Sequence, residues 1–206
     1  GLGDVYKRQG WRYALARQHL RAAVIFAGIG SLAGRSVLET LPILANGVFG
    51  QGPSGLGYMT AAAGAGAAAA SIFKAVSRPQ IPGEFQPQIL AMPVIIPLLV
   101  AAFAMIGDFA TAVAAVALVG GTVTLLSISL QSTIQMEIED QYRGRVMGLW
   151  TTISIGSGAA GAVLMGFLVD LVGVAPAQLM IGIVLATASI LVLLRFRRGI
   201  SQPDAR

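Results

Sequence analysis

Long apolar runs recur along this chain, and they constrain its fold more than any other feature of the sequence. A helix needs roughly 20 apolar residues to cross the ~30 Å hydrocarbon core of a bilayer. Runs of about this length are separated by short breaks rich in glycine, proline and polar residues. They cover residues 22–44, 56–75, 89–106, 111–133, 146–171 and 177–194. Because backbone polar groups find no water in lipid, each run should be helical. The sequence predicts an all-α membrane protein with six transmembrane helices.

The composition agrees with lipid as the solvent for most of the chain. Hydrophobic residues make up 55% of it and charged residues 11%, against about 25% charged residues in soluble domains. The net charge is +5, but the basic residues lie between apolar runs, so nucleic acid is not expected as a partner. There is no cysteine, which excludes disulfides and thiolate metal sites. We expect no metal and no cofactor.

Lysine and arginine are concentrated at alternate junctions between the runs. Short cytoplasmic loops of membrane proteins are enriched in these residues. The junctions after the first, third and fifth runs contain neither. The basic residues at the other junctions are Arg12, Arg17, Arg21, Lys74, Arg78, Arg143, Arg145, Arg195, Arg197, Arg198 and Arg206. The pattern predicts a multi-pass protein of the cell membrane, specifically a bacterial inner membrane, with both ends cytoplasmic.

The chain divides into four parts by composition. Residues 1–9 fit nothing that follows and are interpreted as a non-native leader, so the natural protein is expected to extend further upstream. Residues 10–21 mix aromatic and basic side chains, as an interfacial segment does. Residues 22–198 form the six-helix unit, and residues 199–206 form a cytoplasmic tail.

The first run carries ionisable residues inside the predicted membrane span. Each costs roughly 2.5–3.5 kcal/mol at the centre of a bilayer, so their presence suggests a function. Arg35 and Glu39 are four residues apart and can pair on one helix face. Helical spacing extends that face through Gly28, Ser31, Arg35, Glu39, Pro42 and Asn46. One face of the first helix is therefore predicted to be polar from its middle to its outer end.

The fourth run has a matching polar line, and the two lines allow two interpretations. Its members are Gly120, Thr124, Ser127, Gln131 and Gln135. In one interpretation the helices line a water-filled transport cavity. Its candidate residues are Ser31, Arg35, Glu39, Asn46, Thr124, Ser127 and Gln131. In the other, the ion pair holds helices together and the hydroxyls bond to their own backbone.

Small residues in two runs predict where helices approach closely. Residues 55–70 are small almost all round, so the second helix is expected to be tightly surrounded. In the fifth run Ser154, Gly158, Ala162 and Gly166 recur at intervals of four, with Gly161 on the same side. This stripe predicts helix packing.

Three segments resemble the carboxyl-terminal half of major facilitator superfamily transporters. They are residues 55–70, 131–149 and 166–173, of which the acidic stretch followed by Arg143-Gly144-Arg145 is the most specific. The resemblance covers residues 11–198 and is strongest to the siderophore-exporter and macrolide-efflux-like branch. It implies the second half of a twelve-helix transporter, in which the first and fourth helices of each half line the cavity. The missing amino-terminal half would then be a partner.

The same resemblance implies a cytoplasmic gate whose ion pairs form and break as the halves move. The candidate residues are Glu137, Glu139, Asp140, Arg143 and Arg145. The alternative is a solvated turn that obeys only the positive-inside rule. The family's Gly-x-x-x-Asp-Arg-x-Gly-Arg pattern between the second and third helices is absent, since residues 74–82 keep only the basic positions.

These observations predict a transporter rather than an enzyme. The function expected is proton-coupled export of a small amphiphilic molecule by alternating access, with Glu39 as the titrating acid. The partners expected are the lipid bilayer, the substrate and protons. A non-transporting membrane scaffold or receptor is the alternative, and it would need no paired polar faces. Gly52-Pro53-Ser54-Gly55 also suggests an intramembrane hydrolase, but His19 belongs to the opposite membrane face and could not serve as the base.

Overall fold

The computed structural model describes residues 17–77 and 87–200, and within these ranges the chain is helical with no strand. The helices are α1 (Gln18–Ile43), α2 (Gly52–Val76), α3 (Pro87–Phe103), α4 (Phe109–Glu137), α5 (Asp140–Val172) and α6 (Val174–Ile200). Each predicted apolar run coincides with one of them. The leader at 1–9, residues 10–16 of the interfacial segment, the loop at 78–86 and residues 201–206 of the tail lie outside the described residues.

Five of these helices are long and apolar enough to cross a membrane, namely α1, α2, α4, α5 and α6. The apolar part of α3, Ile89–Phe103, is shorter. Helix α3 as a whole has 17 residues, which is about 26 Å of helix and slightly less than the ~30 Å hydrocarbon core. The prediction of an all-α, multi-pass membrane protein is confirmed, and the third helix is the shortest member of the described set.

A π-helical turn, Leu44–Val48, ends α1. It follows Pro42, which lies inside the helix and lacks the backbone N–H that would continue the regular pattern. Gly50 and Gly52 then adopt positive φ angles of 62° and 61°, which glycine allows without a Cβ clash. The chain thereby reverses direction within a few residues, so α1 and α2 run antiparallel.

The helices associate most extensively in three pairs, α2 with α4, α1 with α5, and α3 with α6. Helix α1 lies at the centre of the bundle. In its most apolar stretch 50% of the residues are buried, compared with 6% in α2 and 11% in α5. Helices α2 and α5 therefore flank an open face of the described chain, and α1 and α4 lie between them.

Helix α2 touches α4 backbone to backbone. A Cβ on Gly66 would overlap the carbonyl oxygen of Ala117, and one on Gly120 would lie 2.5 Å from the oxygen of Ala63. A Cβ on Gly64, by contrast, would meet nothing within 4 Å. The prediction that small residues let helices approach is confirmed on this side of α2. Within the described chain α2 is not tightly surrounded, because only 6% of its most apolar stretch is buried.

The small stripe of α5 is divided in the same way. A Cβ on Gly161 would lie 2.5 Å from the carbonyl oxygen of Leu32, so α1 and α5 cross closely at this point. Gly166 has open space around it. Gly158 faces Arg35, whose Cβ would be 3.8 Å from an added Cβ. The stripe packs at Gly161, but its other members border accessible space.

A kinked helix and a serine join α3 to α6. Pro93 and Pro97 lie inside α3, and Pro97 has no N–H to donate to the carbonyl oxygen of Pro93. The hydroxyl of Ser189, which is fully buried, donates to that oxygen at 2.6 Å. The freed carbonyl is thus satisfied by a neighbouring helix, as an apolar environment requires.

Candidate functional site

A cleft of about 830 Å³ opens between α1, α2, α4 and α5. This volume is in the range of ~300–1,000 Å³ that ligand sites in proteins occupy. Gly34 of α1 and Gly120 of α4 line it. Ala63 and Ala67 of α2 and Ala159 of α5 line its sides. Because all these positions are central in their helices, the cleft lies at the middle depth of the bundle.

The walls of the cleft are mostly apolar, with a few polar side chains among them. The apolar members include Val37, Leu38, Val116, Val119, Val123, Ile155 and Val163. The polar members are Ser31 and Arg35 from α1, Thr124 from α4 and Ser154 from α5. Apolar walls with a small number of placed polar groups are typical of sites for amphiphilic small molecules.

Arg35 and Glu39 form the ion pair that their spacing predicts. The distance from Arg35 Nε to Glu39 Oε1 is 2.8 Å, and the side chains are 55% and 42% exposed. Arg35 lines the cleft. Glu39 lies one turn farther along α1, toward the π-helical turn, and does not line it. The pair is therefore accessible on the open face of the described chain and is not enclosed between its helices.

The cleft hydroxyls do not bond to their own backbone. In the described ranges no hydrogen bond involves the hydroxyl of Ser31 or Thr124. Thr122, two positions before Thr124 and itself not a cleft residue, does donate to the carbonyl oxygen of Leu118 at 2.6 Å. The hydroxyls of Ser31 and Thr124 are thus available to a ligand or to water.

Ser154 is a cleft residue that the sequence analysis assigned to helix packing. Its Oγ is buried and has no hydrogen-bond partner in the described chain, and the residue lines the cleft. Ala162, another member of the small stripe, lines it too. The signal was present in the stripe itself, because small residues at a helix surface make room for a ligand as well as for a helix.

The remaining cavity candidates lie elsewhere. Ser127 borders a separate cavity of about 60 Å³, together with Ser31 and Trp150. Gln131 is partly buried on α4, and Asn46 is exposed in the π-helical turn. Of the seven cavity candidates, the cleft brings together Ser31, Arg35 and Thr124.

The acidic and basic cluster lies at the far end of the bundle, where α4 gives way to α5. Arg17, at the start of α1, contacts Glu139 at 3.3 Å and also donates to the backbone oxygen of Glu137 at 3.4 Å. Asp140 and Arg143 pair within α5 at 2.9 Å. The sequence pattern does not indicate Arg17 as a member of this cluster, because its contact crosses 122 positions of the chain.

Arg145, the remaining basic residue of the cluster, lies over the ring of Tyr142. The guanidinium carbon of Arg145 lies 5.7 Å from the centroid of the Tyr142 ring, within the range of a cation–π contact. Arg17 and Glu139 thus join α1 to the α4–α5 turn, whereas the contacts of Arg143 with Asp140 and of Arg145 with Tyr142 lie within α5.

The serine of the Gly-Pro-Ser-Gly segment takes part in the start of α2. Ser54 is exposed, and its hydroxyl donates to the carbonyl oxygen of Gln51 at 3.0 Å. His19 lies at the opposite end of α1, about 36 Å away along the helix from Ile43. In the described ranges no three His, Asp or Glu residues are grouped as metal ligands. Among the described residues, no side chain that could act as a base is hydrogen-bonded to the hydroxyl of Ser54.

Comparison with known families gives one match. The family model described as transmembrane secretion effector, a major facilitator family, matches residues 5–204. No curated protein and no solved structure matched the chain.

Proposed function

Because the chain belongs to the transmembrane secretion effector family of major facilitator transporters, we propose that it exports a small amphiphilic molecule by alternating access. The observation that carries this proposal is the cleft of about 830 Å³ between α1, α2, α4 and α5. The cleft combines apolar walls with polar groups from α1 and α4, the two helices for which the sequence predicts polar faces. A scaffold or receptor would need no such cleft at the middle depth of the membrane.

We further propose that the chain is one half of the transporter and that a second six-helix half covers the open face. Exposure of Arg35 and Glu39 supports this arrangement. Facing lipid, each ionised side chain would cost roughly 2.5–3.5 kcal/mol. A companion half that encloses the cleft would keep both in an aqueous or protein environment. The low burial of α2 and α5, 6% and 11%, is consistent with contacts to that half.

The cleft suggests how a substrate would be held. Its apolar walls accommodate a hydrophobic body, whereas Arg35 in its wall and Glu39, one turn beyond it on α1, offer both signs of charge. A substrate carrying an anionic group would compete with Glu39 for Arg35, and a cationic substrate would compete with Arg35 for Glu39. Ser31, Thr124 and Ser154 supply hydrogen bonds that orient the molecule.

Proton coupling is assigned to Glu39. A coupled exporter needs an acid in the pathway that exchanges its proton as the halves move. Glu39 lies one turn from the cleft, its side chain is 42% exposed, and its Oε1 is 2.8 Å from Nε of Arg35. Separation of Arg35 from Glu39 during the transport cycle would link proton exchange to conformation. Asn46, Ser127 and Gln131, which lie along the same two helices, would be reached by water or substrate in other states of the cycle.

The charged cluster at the α4–α5 turn is proposed as the cytoplasmic gate. Its interhelical pair of Arg17 with Glu139 is 3.3 Å long and about half exposed at both side chains. Such exposed pairs contribute little stability and can exchange partners. Glu137, Asp140, Arg143 and Arg145 lie beside it. The alternating basic junctions support a cytoplasmic location for this end and for both chain ends, in a bacterial inner membrane.

Single-cysteine labelling tests alternating access without knowledge of the substrate. The chain has no cysteine, so Thr124→Cys places one thiol in the cleft, and Ser129→Cys, at a position that is 2% exposed, is the buried control. In the natural protein, an impermeant thiol reagent should label position 124 from either side of the membrane, in vesicles of opposite orientation. Position 129 should remain unlabelled from both sides.

The same assay tests the role of Glu39. A pH gradient should change the ratio of labelling from the two sides, and Glu39→Gln should remove that dependence. Asp170→Asn, which neutralises an exposed carboxylate near the end of α5, should leave it intact. Labelling of position 124 from one side only, under every gradient, would refute alternating access. Gradient dependence that survives Glu39→Gln would refute the assignment of Glu39.

A further inference from the structure

A second groove, of about 440 Å³, lies between α1 and α5 on the side away from the cleft. Helix α5 contributes Leu149, Ile153 and Ser157 to it, at intervals of four residues. The cleft uses Ile155 and Ala159 of the same helix. Since each residue of a helix is rotated by about 100° from the previous one, residues 153 and 155 face nearly opposite directions. The groove is therefore a separate surface feature.

The groove is apolar along its length. Its walls on α1 are Val24, Ile25, Ile29 and Leu32, and Leu185 of α6 closes its base. From Arg21 to Leu32 the groove follows about 16 Å of α1 at 1.5 Å per residue. This length is about half of the ~30 Å hydrocarbon core. It corresponds to the depth of one leaflet, and so to one acyl chain.

Arg21 lies at the end of the groove where the bundle carries its arginines. Its guanidinium carbon is 4.7 Å from the centroid of the Phe196 ring, which holds the planar group over an aromatic face. Its Nε is buried and has no acceptor among the described residues. A guanidinium presents a rigid fork of N–H donors that matches a phosphate. The group is thus positioned, and it retains a donor that no described residue uses.

The surroundings of Arg21 are basic as well. Arg17 lies one turn earlier on α1, and Arg195, which is exposed, precedes Phe196 on α6. Arg17 forms an ion pair with the carboxylate of Glu139, whereas Arg21 forms no ion pair with any described residue. An anionic headgroup would be attracted to this end, as anionic lipids are to basic segments next to membrane helices.

We propose that this groove binds an anionic phospholipid of the leaflet at the arginine-rich end. The phosphate accepts hydrogen bonds from Arg21, and one acyl chain occupies the apolar channel between α1 and α5. A zwitterionic lipid fits the channel equally well, but its ammonium group meets the guanidinium of Arg21 unfavourably. The bound lipid contacts two helices that also line the cleft, and it fills a surface that α6 does not cover.

Native mass spectrometry of the full-length protein tests the proposal. The protein is released from nanodiscs that contain phosphatidylglycerol and phosphatidylcholine in equal amounts, and the retained lipids are counted. The wild type should retain phosphatidylglycerol preferentially. Arg21→Gln should weaken this retention by about tenfold or more, as expected for the loss of a hydrogen bond to a charged group. Ile29→Trp fills the channel without changing charge and should abolish retention of both lipids.

Two matched controls separate the groove from general attraction to the surface. Arg195→Gln removes an arginine at the same end outside the groove, and Ile183→Trp adds the same ring at a position of α6 that is 53% exposed. Both should retain phosphatidylglycerol like the wild type, and size-exclusion chromatography should show every variant to be folded and monodisperse.

Three outcomes would overturn the proposal. Equal retention of the two lipids would show that the headgroup charge is not recognised. Equal losses in Arg21→Gln and Arg195→Gln would indicate diffuse attraction instead of a site. A dimer in the spectrum that disappears in Ile29→Trp, without bound lipid in the wild type, would assign the groove to contact with a second copy.

Discussion

Replacing Arg35 and Glu39 singly and together tests whether their ion pair is an accessible part of the cleft or a fixed link. The pair joins two residues of the same helix at 2.8 Å, with side chains that are 55% and 42% exposed. Exposed pairs at this spacing contribute about 0.3–0.5 kcal/mol. Breaking an enclosed pair costs about 3–5 kcal/mol, because a buried charge is left alone. The exposure therefore predicts a coupling free energy below about 1 kcal/mol.

The assay is a double-mutant cycle on the free energy of unfolding, with Arg35→Ala, Glu39→Gln and the double variant in detergent. The Asp140–Arg143 pair is a matched control, since it also lies within one helix, at 2.9 Å, with side chains 89% and 54% exposed. Both cycles should give similarly small couplings. A coupling above about 2 kcal/mol for Arg35 and Glu39 alone would refute the accessible pair.

Transport by the same double variant gives an independent outcome. If the pair serves only to stabilise the bundle, removal of both charges should give a stable protein that still concentrates substrate. If it serves transport, the double variant should fold but no longer concentrate substrate. Full uphill transport by the double variant would contradict the role assigned to Glu39.

Two further predictions concern the bundle around the cleft. Ser189→Ala leaves the buried carbonyl of Pro93 without its donor and should lower the free energy of unfolding by about 1–3 kcal/mol. The control Ser71→Ala, at an exposed serine that bonds within its own helix, should change the free energy of unfolding little. Equal effects of the two substitutions in chemical unfolding would contradict the bridging role of Ser189. Hydrogen bonds from the hydroxyl and backbone N–H of Thr111 lower the pKa of the Asp108 carboxyl, which caps α4. The stabilisation by this cap is therefore present above the ordinary pKa of 3.8 and is lost as the pH falls through the lowered value. Asp108→Ala should thus lower Tm more at pH 7 than at about pH 3. A difference in Tm between wild type and variant that does not depend on pH would argue against the cap.

The helices and their polar faces could be predicted because both depend on local sequence. In lipid a long apolar run has few alternatives to a helix, so each predicted run coincides with a helix of the structure. The spacing of Arg35 and Glu39 is likewise enough to place both on one face and within reach of each other. The observed distance of 2.8 Å agrees with that prediction.

Contacts between helices were predicted less well, because small residues do not specify their neighbour. Gly66 and Gly64 are both glycines of α2, yet one touches α4 and the other faces open space. Ser154 belongs to a stripe that indicates packing, but the residue lines the cleft and its buried hydroxyl has no hydrogen-bond partner in the described chain. A glycine or serine on a helix surface allows close approach by a backbone and equally allows an empty groove.

The sequence by itself determined the solvent of this protein, its helices and the polar faces of α1 and α4, since these follow from hydrophobicity and from a period of 3.6 residues. Only the tertiary structure decided that α1 is the central helix, that α2 and α5 border an open cleft, and that Arg17 meets Glu139 across 122 positions of the chain. The physical reason is that these features depend on which backbones approach closely enough to exclude everything else. That choice is made by the fit of whole helices to one another, which no local pattern of residues specifies.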